Sequence, residues 1–515
     1  MDKKIFYNPE DINIDYSQLG NPGEEPFTRG IYSNMYSGKS FTMRQLTGFG
    51  SPEDTNKRMK YMLENGATGL SILFDFPTIQ MYDSDDIISL GHVGFSGVCV
   101  DSIEDMHTLF KDININKISI SIVTHYPSNT AILFSMFLAM AEERGISWSD
   151  LRGSVQNDII MEEVVRCGSE FITPINCFRL QCDNVEFIRN ELPKWNPVTL
   201  NGYNLRECGA SITTETAVAI INGIDTIQEL VNRGYEANNI ASRIAFFWSI
   251  GNNFFEEIAR LRASRRIWCN VLKDRFKISD VKSLMLRCHS QTSGISLTRQ
   301  EPLNNIIRAS YQALAAVLGG TQSLHVDSFD EAYSVPTEEA ALVSLRTQQI
   351  IQDETNIIDI ADPLGGSWYI ESLTNGIEEK IYKEIFELGG FDNLVNLISS
   401  GKLHDKIHNY AYQQQKEIEE GITPVIGVNK YQNNNATEIP QFKYPENVEK
   451  IQKEKLLLLK KNRNNNKVKE SLNDLENVCK EKVNIIPYTV NCAKARCTEG
   501  EMFTSFKKAF GLWNK

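Results

Sequence analysis

The sequence predicts an α/β fold: a (β/α)8 TIM barrel with an N-terminal arm and a C-terminal helical extension. Three observations lead there. Eight short β-type runs lie between Gly66 and about Ser328. Amphipathic helical patterns separate them, as parallel strands joined by crossovers require. Polar clusters follow the strands, where barrels of this kind carry their functional groups. A doubly wound open sheet is the runner-up, but it more often shows fewer strands.

The elements follow in order. Residues 1–30 are polar and broken by Gly20, Pro22, Gly23 and Pro26. They read as an extended arm, either a disordered tail or a strap around a partner chain. Residues 31–335 form the barrel. Its first stretch is read as a loop carrying Thr42, Arg44 and Gln45, then a helix from Pro52 to Asn65. The β-type runs are Gly69–Phe74, Gly97–Val100, Ile118–Val123, Gly153–Gln156, Pro197–Gly202, Arg243–Trp248, Leu284–His289 and Thr321–Val326. Helical patterns include Ala131–Arg144, Glu215–Arg233, Asn253–Leu272 and Asn304–Leu318. Residues 336–515 are the extension. It opens on an amphipathic helix, PTEEAALVSLRTQQIIQDE, followed by DPLGGSWYIESL, read as a Gly-Gly turn and a short strand. Residues 447–482 are highly charged and read as a solvated helix pair.

Composition excludes several classes. A chain of 515 residues with 41% hydrophobic and 23% charged residues has the make-up of a globular protein. No apolar run reaches the roughly 20 residues that span a bilayer, and MDKKIFYNPEDINID has no apolar core of a signal peptide. The expected setting is cytoplasmic, with no membrane. A net charge of −13 argues against nucleic acid. An anionic ligand must therefore meet a local basic cluster. The ten cysteines include no C-x-x-C pair and read as reduced thiols. His404 and His408 share a helix face, which on its own is a solvated surface rather than a metal site.

One parity of several strands is small and polar. It comprises Ser71, Ser119 and Ser121, Ser154 and Gln156, Thr199 and Asn201, and Thr321 and Ser323. Strand side chains alternate faces, so within each strand these residues share a side. The outer side must meet apolar helices, so the polar parity is expected inside. A bore lined with hydroxyls suits a long, thin, hydrogen-bonding ligand. The alternative is that a few inward serines bond one another or water. Beyond the strands lie FDFPT (74–78), VQND (155–158), NGYN (201–204), CHSQTSG (288–294) and LHVDS (324–328).

The motif TMRQ-x-x-GFG, followed by GLS-x-x-FD-x-PT and YDSDD, resembles the adenosylcobalamin-dependent acyl-CoA mutases, the methylmalonyl-CoA mutase family. FTRGIY, LRG-x-x-QNDI, GYNLRE-x-GA, FFEEIA, SQTSG, NNI-R, LGGTQSLH, DPLGGS and EGEMFTSFKKAFG extend the resemblance, in family order, over about 480 residues. The resemblance implies a barrel threaded by coenzyme A, and radical migration of a thioester group to the neighbouring carbon with adenosylcobalamin as cofactor. The family's cobalamin domain carries D-x-H-x-x-G, a pattern not found in this sequence. The expectation is a large subunit without that domain, paired with a small cobalamin-binding subunit in a hetero-oligomer, with no metal ligands of its own.

The resemblance also implies roles. Tyr32, Asn34, Met35, Lys39, Thr42 and Arg44 fall where the family holds coenzyme A, with Ser71 in the bore and Arg243, His289, Ser290 and Gln322 as further contacts. Gln156, Tyr203 and Gln291 surround the acyl group. Phe74, Glu207, Gly294, Glu331 and Ala332 face the corrin ring. Two positions depart from the pattern. Leu46 stands where methylmalonyl-CoA mutases have Tyr, isobutyryl-CoA mutases Phe and 2-hydroxyisobutyryl-CoA mutases Ile. Asn204 replaces a His beside the thioester carbonyl, and Asn can donate a hydrogen bond but not act as an acid near neutral pH. Arg166 matches the carboxylate-binding position and favours an acidic acyl group, while Leu46 argues the other way. The leading expectation is the methylmalonyl-CoA/succinyl-CoA type. The alternatives are another branched acyl-CoA, isobutyryl- or 2-hydroxyisobutyryl-like, or a non-catalytic acyl-CoA-binding paralogue.

Overall fold

The computed structural model describes residues 4–5, 7–165, 170–433 and 439–513. Nine strands run in it: β1 Thr42–Thr47, β2 Gly69–Leu73, β3 Ser119–Val123, β4 Arg152–Val155, β5 Lys194–Asn196, β6 Val198–Asn201, β7 Ile244–Ile250, β8 Arg287–Thr292 and β9 Ser323–His325. They form one sheet in the order β5-β4-β3-β2-β1-β9-β8-β7-β6, a parallel α/β barrel of the TIM type. The chain folds into two compact units. One comprises Met1–Met43 and Leu200–Gln441, and the other Arg44–Thr199 and Phe442–Lys515.

In the second unit, β1 to β4 pair in parallel and helices cover their apolar side. The helix Pro52–Glu64 starts at a capping box between Ser51 and Asp54, with Pro52 in its first turn. Phe134 packs against Trp195, ring centroids 5.0 Å apart, with both side chains buried. The charged segment near the C-terminus forms two helices, Val448–Asn462 and Asn465–Val478. Of its four leucines only Leu456 is fully buried; Leu457 and Leu458 are exposed.

In the first unit, β7 lies against the helices Ile212–Asn232 and Phe254–Phe276, and β7, β8 and β9 pack on the helix Asn304–Leu318. Phe246, Trp248 and Trp268 form their buried aromatic centre. The N-terminal segment is packed onto this unit at Phe27 and Thr28. Phe27 and Thr28 are fully buried, and their carbonyls accept hydrogen bonds from Arg265.

Three further expectations are corrected. The TMRQ stretch is a strand, because β2 and β9 take up its backbone groups from both sides. Its polar side chains hid that pairing. Gly97–Val100 is not a strand. Its backbone bonds instead run to strand ends and turns: Val98 N–H to Leu73, Asp75 N–H to Val98, and Cys99 N–H to Gly50. DPLGGSWYIESL does not end in a strand. The long helix Trp368–Glu387 starts directly after Ser367, and the carboxylate of Glu371 accepts the Gly366 N–H at 2.9 Å. No helix among the described residues is long and apolar enough to cross a membrane.

Candidate active site

The polar parity of the second unit forms ordered rows. Leu46, Ser71, Ser121 and Ser154 are successive register partners on β1 to β4. Arg44, Gly69 and Ser119 form the row beside it. The Ser154 hydroxyl donates to Ser121 Oγ at 3.2 Å. Arg44 donates to Ser119 Oγ at 2.6 Å and to the Leu70 carbonyl at 3.2 Å. Burial pushes the Arg44 guanidinium down to about 10, which still leaves it cationic at neutral pH. A buried cation among hydroxyls is a place for anionic or carbonyl oxygens, not an apolar core.

Gln156 follows β4 and is buried. Its carbonyl accepts the Thr199 N–H at 2.9 Å. Phe74, expected on a corrin-facing surface, is almost wholly buried behind β2. Arg166 lies outside the described residues. Glu162, on the segment before it, is buried. The Ser128 hydroxyl reaches both its oxygens, at 2.8 and 2.9 Å, and the Cys177 thiol lies 3.2 Å away. Burial pushes Glu162 up to about 7.

The first unit carries a second cluster. The helix Gly202–Glu207 begins directly after β6, with Asn201 capping the Asn204 N–H at 2.9 Å. Gly202 is required there, because a Cβ would stand 2.7 Å from Glu215 Cγ and 2.9 Å from the Trp248 ring. The close approach turns Tyr203 onto Phe247, with rings parallel and centroids 4.9 Å apart. The Tyr203 hydroxyl accepts from Gln291 Nε2 at 2.9 Å, and the same amide donates to Asp327 Oδ1 at 2.8 Å. Burial, then the charge of Asp327, hold the Tyr203 phenol far above its usual range, so it stays neutral. His289 Nδ1 lies 2.7 Å from Ser323 Oγ, and its ring packs on Phe247. Phe247, His289 and Ser323 are register partners, so they share a side with Gln291. Ser290 does not: it is buried in register with Trp248 and Leu324, on the opposite face.

Glu207 sits at the end of the same helix. It accepts the Ile295 N–H at 2.8 Å and the Ser293 hydroxyl at 3.0 Å. Burial, then the charge of Asp327, push it up to about 7. Gly294 lies against it: a Cβ there would stand 3.0 Å from Glu207 Oε2 and 3.4 Å from the Tyr203 hydroxyl. Glu331 and Ala332 are exposed beyond β9. Arg206, in the last turn of this helix, pairs with Glu257 at 3.2 Å, and Glu257 with buried Arg260 at 2.8 Å. These pairs tie the helix to the one that follows β7.

The remaining expected ligands lie near the start of β1. Tyr32, Asn34 and Lys39 are exposed around the turn Met35–Gly38, with Met35 itself buried. Thr42 donates its N–H to the Gln322 carbonyl at 3.0 Å. The Gln322 side chain is taken up by backbone, accepting from Cys288 N–H and donating to the Gly320 carbonyl. Arg243 is half-buried just before β7. Asp327 and the Arg206–Glu257–Arg260 chain were not expected. LHVDS marked the place of Asp327, but only the fold brings it to Gln291.

Comparison with known proteins adds an independent line. The family model described as methylmalonyl-CoA mutase matches residues 1–512. The chain is 38% identical over 513 residues to the 2-hydroxyisobutanoyl-CoA mutase large subunit of Aquincola tertiaricarbonis, covering 99% of this chain and 91% of that one. It is 41% identical over 495 residues to a probable mitochondrial methylmalonyl-CoA mutase of Caenorhabditis elegans, covering 95% of this chain and 66% of that protein. It is 38% identical over 524 residues to the human mitochondrial methylmalonyl-CoA mutase, spanning 69% of its length.

Proposed function

The chain belongs to the methylmalonyl-CoA mutase family, a family of isomerases, and we propose that it is the acyl-CoA-binding chain of a cobalamin-dependent mutase acting on a branched acyl-CoA. The observation that carries this reading is the row Leu46–Ser71–Ser121–Ser154 beside the buried cation of Arg44. The serine hydroxyls can pair with the amides of a pantetheine arm. Arg44, and Lys39 on the exposed turn, supply the positive charge that phosphates need.

The residues around Gly294 fit a flat, polar-edged cofactor. The glycine lets Glu207 and the Tyr203 hydroxyl approach where a Cβ would crowd them, and Glu331 and Ala332 are exposed. Adenosylcobalamin, when bound there, supplies the radical chemistry. The chain's own groups orient and shield. Tyr203, fixed between Phe247 and Gln291, is assigned to the acyl group by the family resemblance. Gln156 offers an amide to the thioester. Asn204 can donate a hydrogen bond to its carbonyl but no proton at neutral pH.

We read the cobalamin as carried mainly by a small partner subunit in a hetero-oligomer. The support is the relative named as a large subunit, which matches 99% of this chain. The test is to mix the chain with such a subunit and adenosylcobalamin and follow acyl-CoA isomerisation. Turnover only in the mixture is expected. Acyl-CoA binding with no turnover in any mixture would favour the second reading, a lapsed paralogue, which Asn204 supports. No binding of any CoA ester would overturn both.

A further inference from the structure

A cavity of about 690 Å³ lies in the second unit, walled by the helix Val448–Asn462 on one side and the helix Ile103–Leu109 on another. None of its lining residues belongs to the polar rows of β1 to β4. Its volume is in the range of small-molecule sites. One wall is a single helix face. Gln452, Leu456 and Leu459 recur at i, i+4 and i+7, a strip about 10 Å long at the helical rise per residue. Exposed Leu458 and Lys467 also line the cavity, so it reaches the surface.

One part of the lining is acidic and lacks a countercharge. Asp101 and Asp105 are both buried there. One amide joins them: Gln452 Nε2 donates to Asp101 Oδ2 at 2.8 Å and to Asp105 Oδ1 at 3.0 Å. The Ser84 N–H also donates to Asp101, at 2.6 Å. The N–H groups of Asp101 and Ser102 donate to Asp105, at 2.9 and 3.0 Å. These donors are neutral, and among the described residues neither carboxylate makes an ion pair. Lys455, on the same helix as Gln452, is taken by Glu53 at 2.7 Å. Burial, then the charge of Asp105, push the Asp101 carboxyl well above its usual range, the response of a carboxylate without a countercharge.

The Gln452 amide adds an independent observation. Two carboxylates fix which end of it is the donor. Its oxygen is buried and has no hydrogen-bond partner among the described residues. Buried polar atoms are seldom left unpaired, and this one belongs to a side chain that lines a cavity. Asp101, Asp105 and this oxygen offer three acceptors, and a primary ammonium carries three donors. A divalent ion fits less well. Among the described residues, three carboxylate, thiol or imidazole ligand atoms do not gather within 4.8 Å of one another here. Leu456 and Leu459 suit an aliphatic chain, not the water shell of an ion.

We propose that this cavity binds the primary ammonium group of an aliphatic chain, with Asp101, Asp105 and the Gln452 oxygen as its acceptors and Leu456 and Leu459 under the chain. Two sources carry that chemistry, a free diamine and the terminal ammonium of an amino acid.

The test is calorimetric titration of the full chain with hexylamine, 1-hexanol, 1,6-diaminohexane, 6-aminohexanoate and calcium ions. Charge-assisted hydrogen bonds predict that hexylamine binds at least about tenfold tighter than hexanol. Asp101→Asn keeps the shape and removes the charge, and should weaken hexylamine about 10- to 100-fold. Leu459→Trp, at a half-buried position of the wall, fills the groove and should abolish binding; it decides the matter if Asp101→Asn folds poorly. Hexylamine should raise the melting temperature of wild type and not of Asp101→Asn. Tighter binding of 6-aminohexanoate upholds the site and names the amino acid as source; tighter binding of the diamine upholds it and names the diamine. Hexylamine bound no tighter than hexanol, or an affinity unchanged in both variants, overturns the inference. So does calcium binding that is lost in Asp101→Asn where hexylamine does not bind, which makes this a metal site.

Discussion

The Tyr203 hydroxyl and the Gln291 amide are 2.9 Å apart, and Gln291 is the donor. The same amide also reaches Asp327, so one side chain fixes a phenol and a carboxylate together. Replacing it by Leu removes the amide donor from both, while Asp327 keeps the Thr292 hydroxyl at 3.1 Å. Gln291→Leu should cost about 1–3 kcal/mol of stability for an unsatisfied buried group. It should also lower kcat/KM, because Tyr203 loses its fixed position on Phe247. Urea unfolding and steady-state rates with the partner subunit check both. A stable variant with unchanged kcat/KM would show that the contact neither positions nor stabilises.

Arg44 tests the polar rows. Its guanidinium is buried and bonded to Ser119 and to the Leu70 carbonyl. If it meets a CoA ester, Arg44→Ala should weaken coenzyme A binding by about 10- to 100-fold, the range for a charged hydrogen bond. Arg44→Lys should restore only part, since it keeps the charge and loses the fork. Ser154→Leu should likewise weaken acyl-CoA binding without unfolding the chain. Calorimetric titration and thermal melts separate the two effects.

Glu207 makes stability depend on pH in a set direction. Burial raises its pKa to about 7 in the folded state from an ordinary 4.5. The folded state therefore holds this proton more tightly than the unfolded state does. Its contribution is fully present below about pH 4.5 and is lost as pH rises through about 7. Glu207→Gln cannot titrate. The stability difference between wild type and this variant should move against wild type between those limits, read from melting temperatures across the range. A difference flat with pH would refute the shift.

Leu46 shares its row with Ser71, Ser121 and Ser154 and is half-buried. Leu46→Tyr would place a phenol beside those hydroxyls. The expected outcome is a shift of preference toward methylmalonyl-CoA, measured as the ratio of kcat/KM values for dicarboxylic and neutral esters. An unchanged ratio would mean that this side chain does not touch the acyl group.

Much of the fold was legible because the period-2 alternation of strands is a local signal. Ser119 and Ser121 on β3, or Ser154 on β4, declare their side without reference to any neighbour. The long helices were legible for the same reason, through their own period and caps. The TMRQ strand was not: Thr42, Arg44 and Gln45 look like loop residues, and only pairing on both edges makes them a strand. Gly97–Val100 failed in the opposite sense, its apolar run being spent on strand ends.

By itself, then, the sequence determined the alternation of strand and helix, the polar face of β2 to β4, and the family, because each is written in spacing along the chain. Only the tertiary structure decided that Gln291 joins Tyr203 to Asp327, residues 88 and 36 positions away. It also decided that Ser290 and Phe74 turn into the core, and that Gln452 reaches Asp101 and Asp105 with its amide oxygen left over. These depend on which distant groups a fold brings within hydrogen-bond reach, and no local period carries that information.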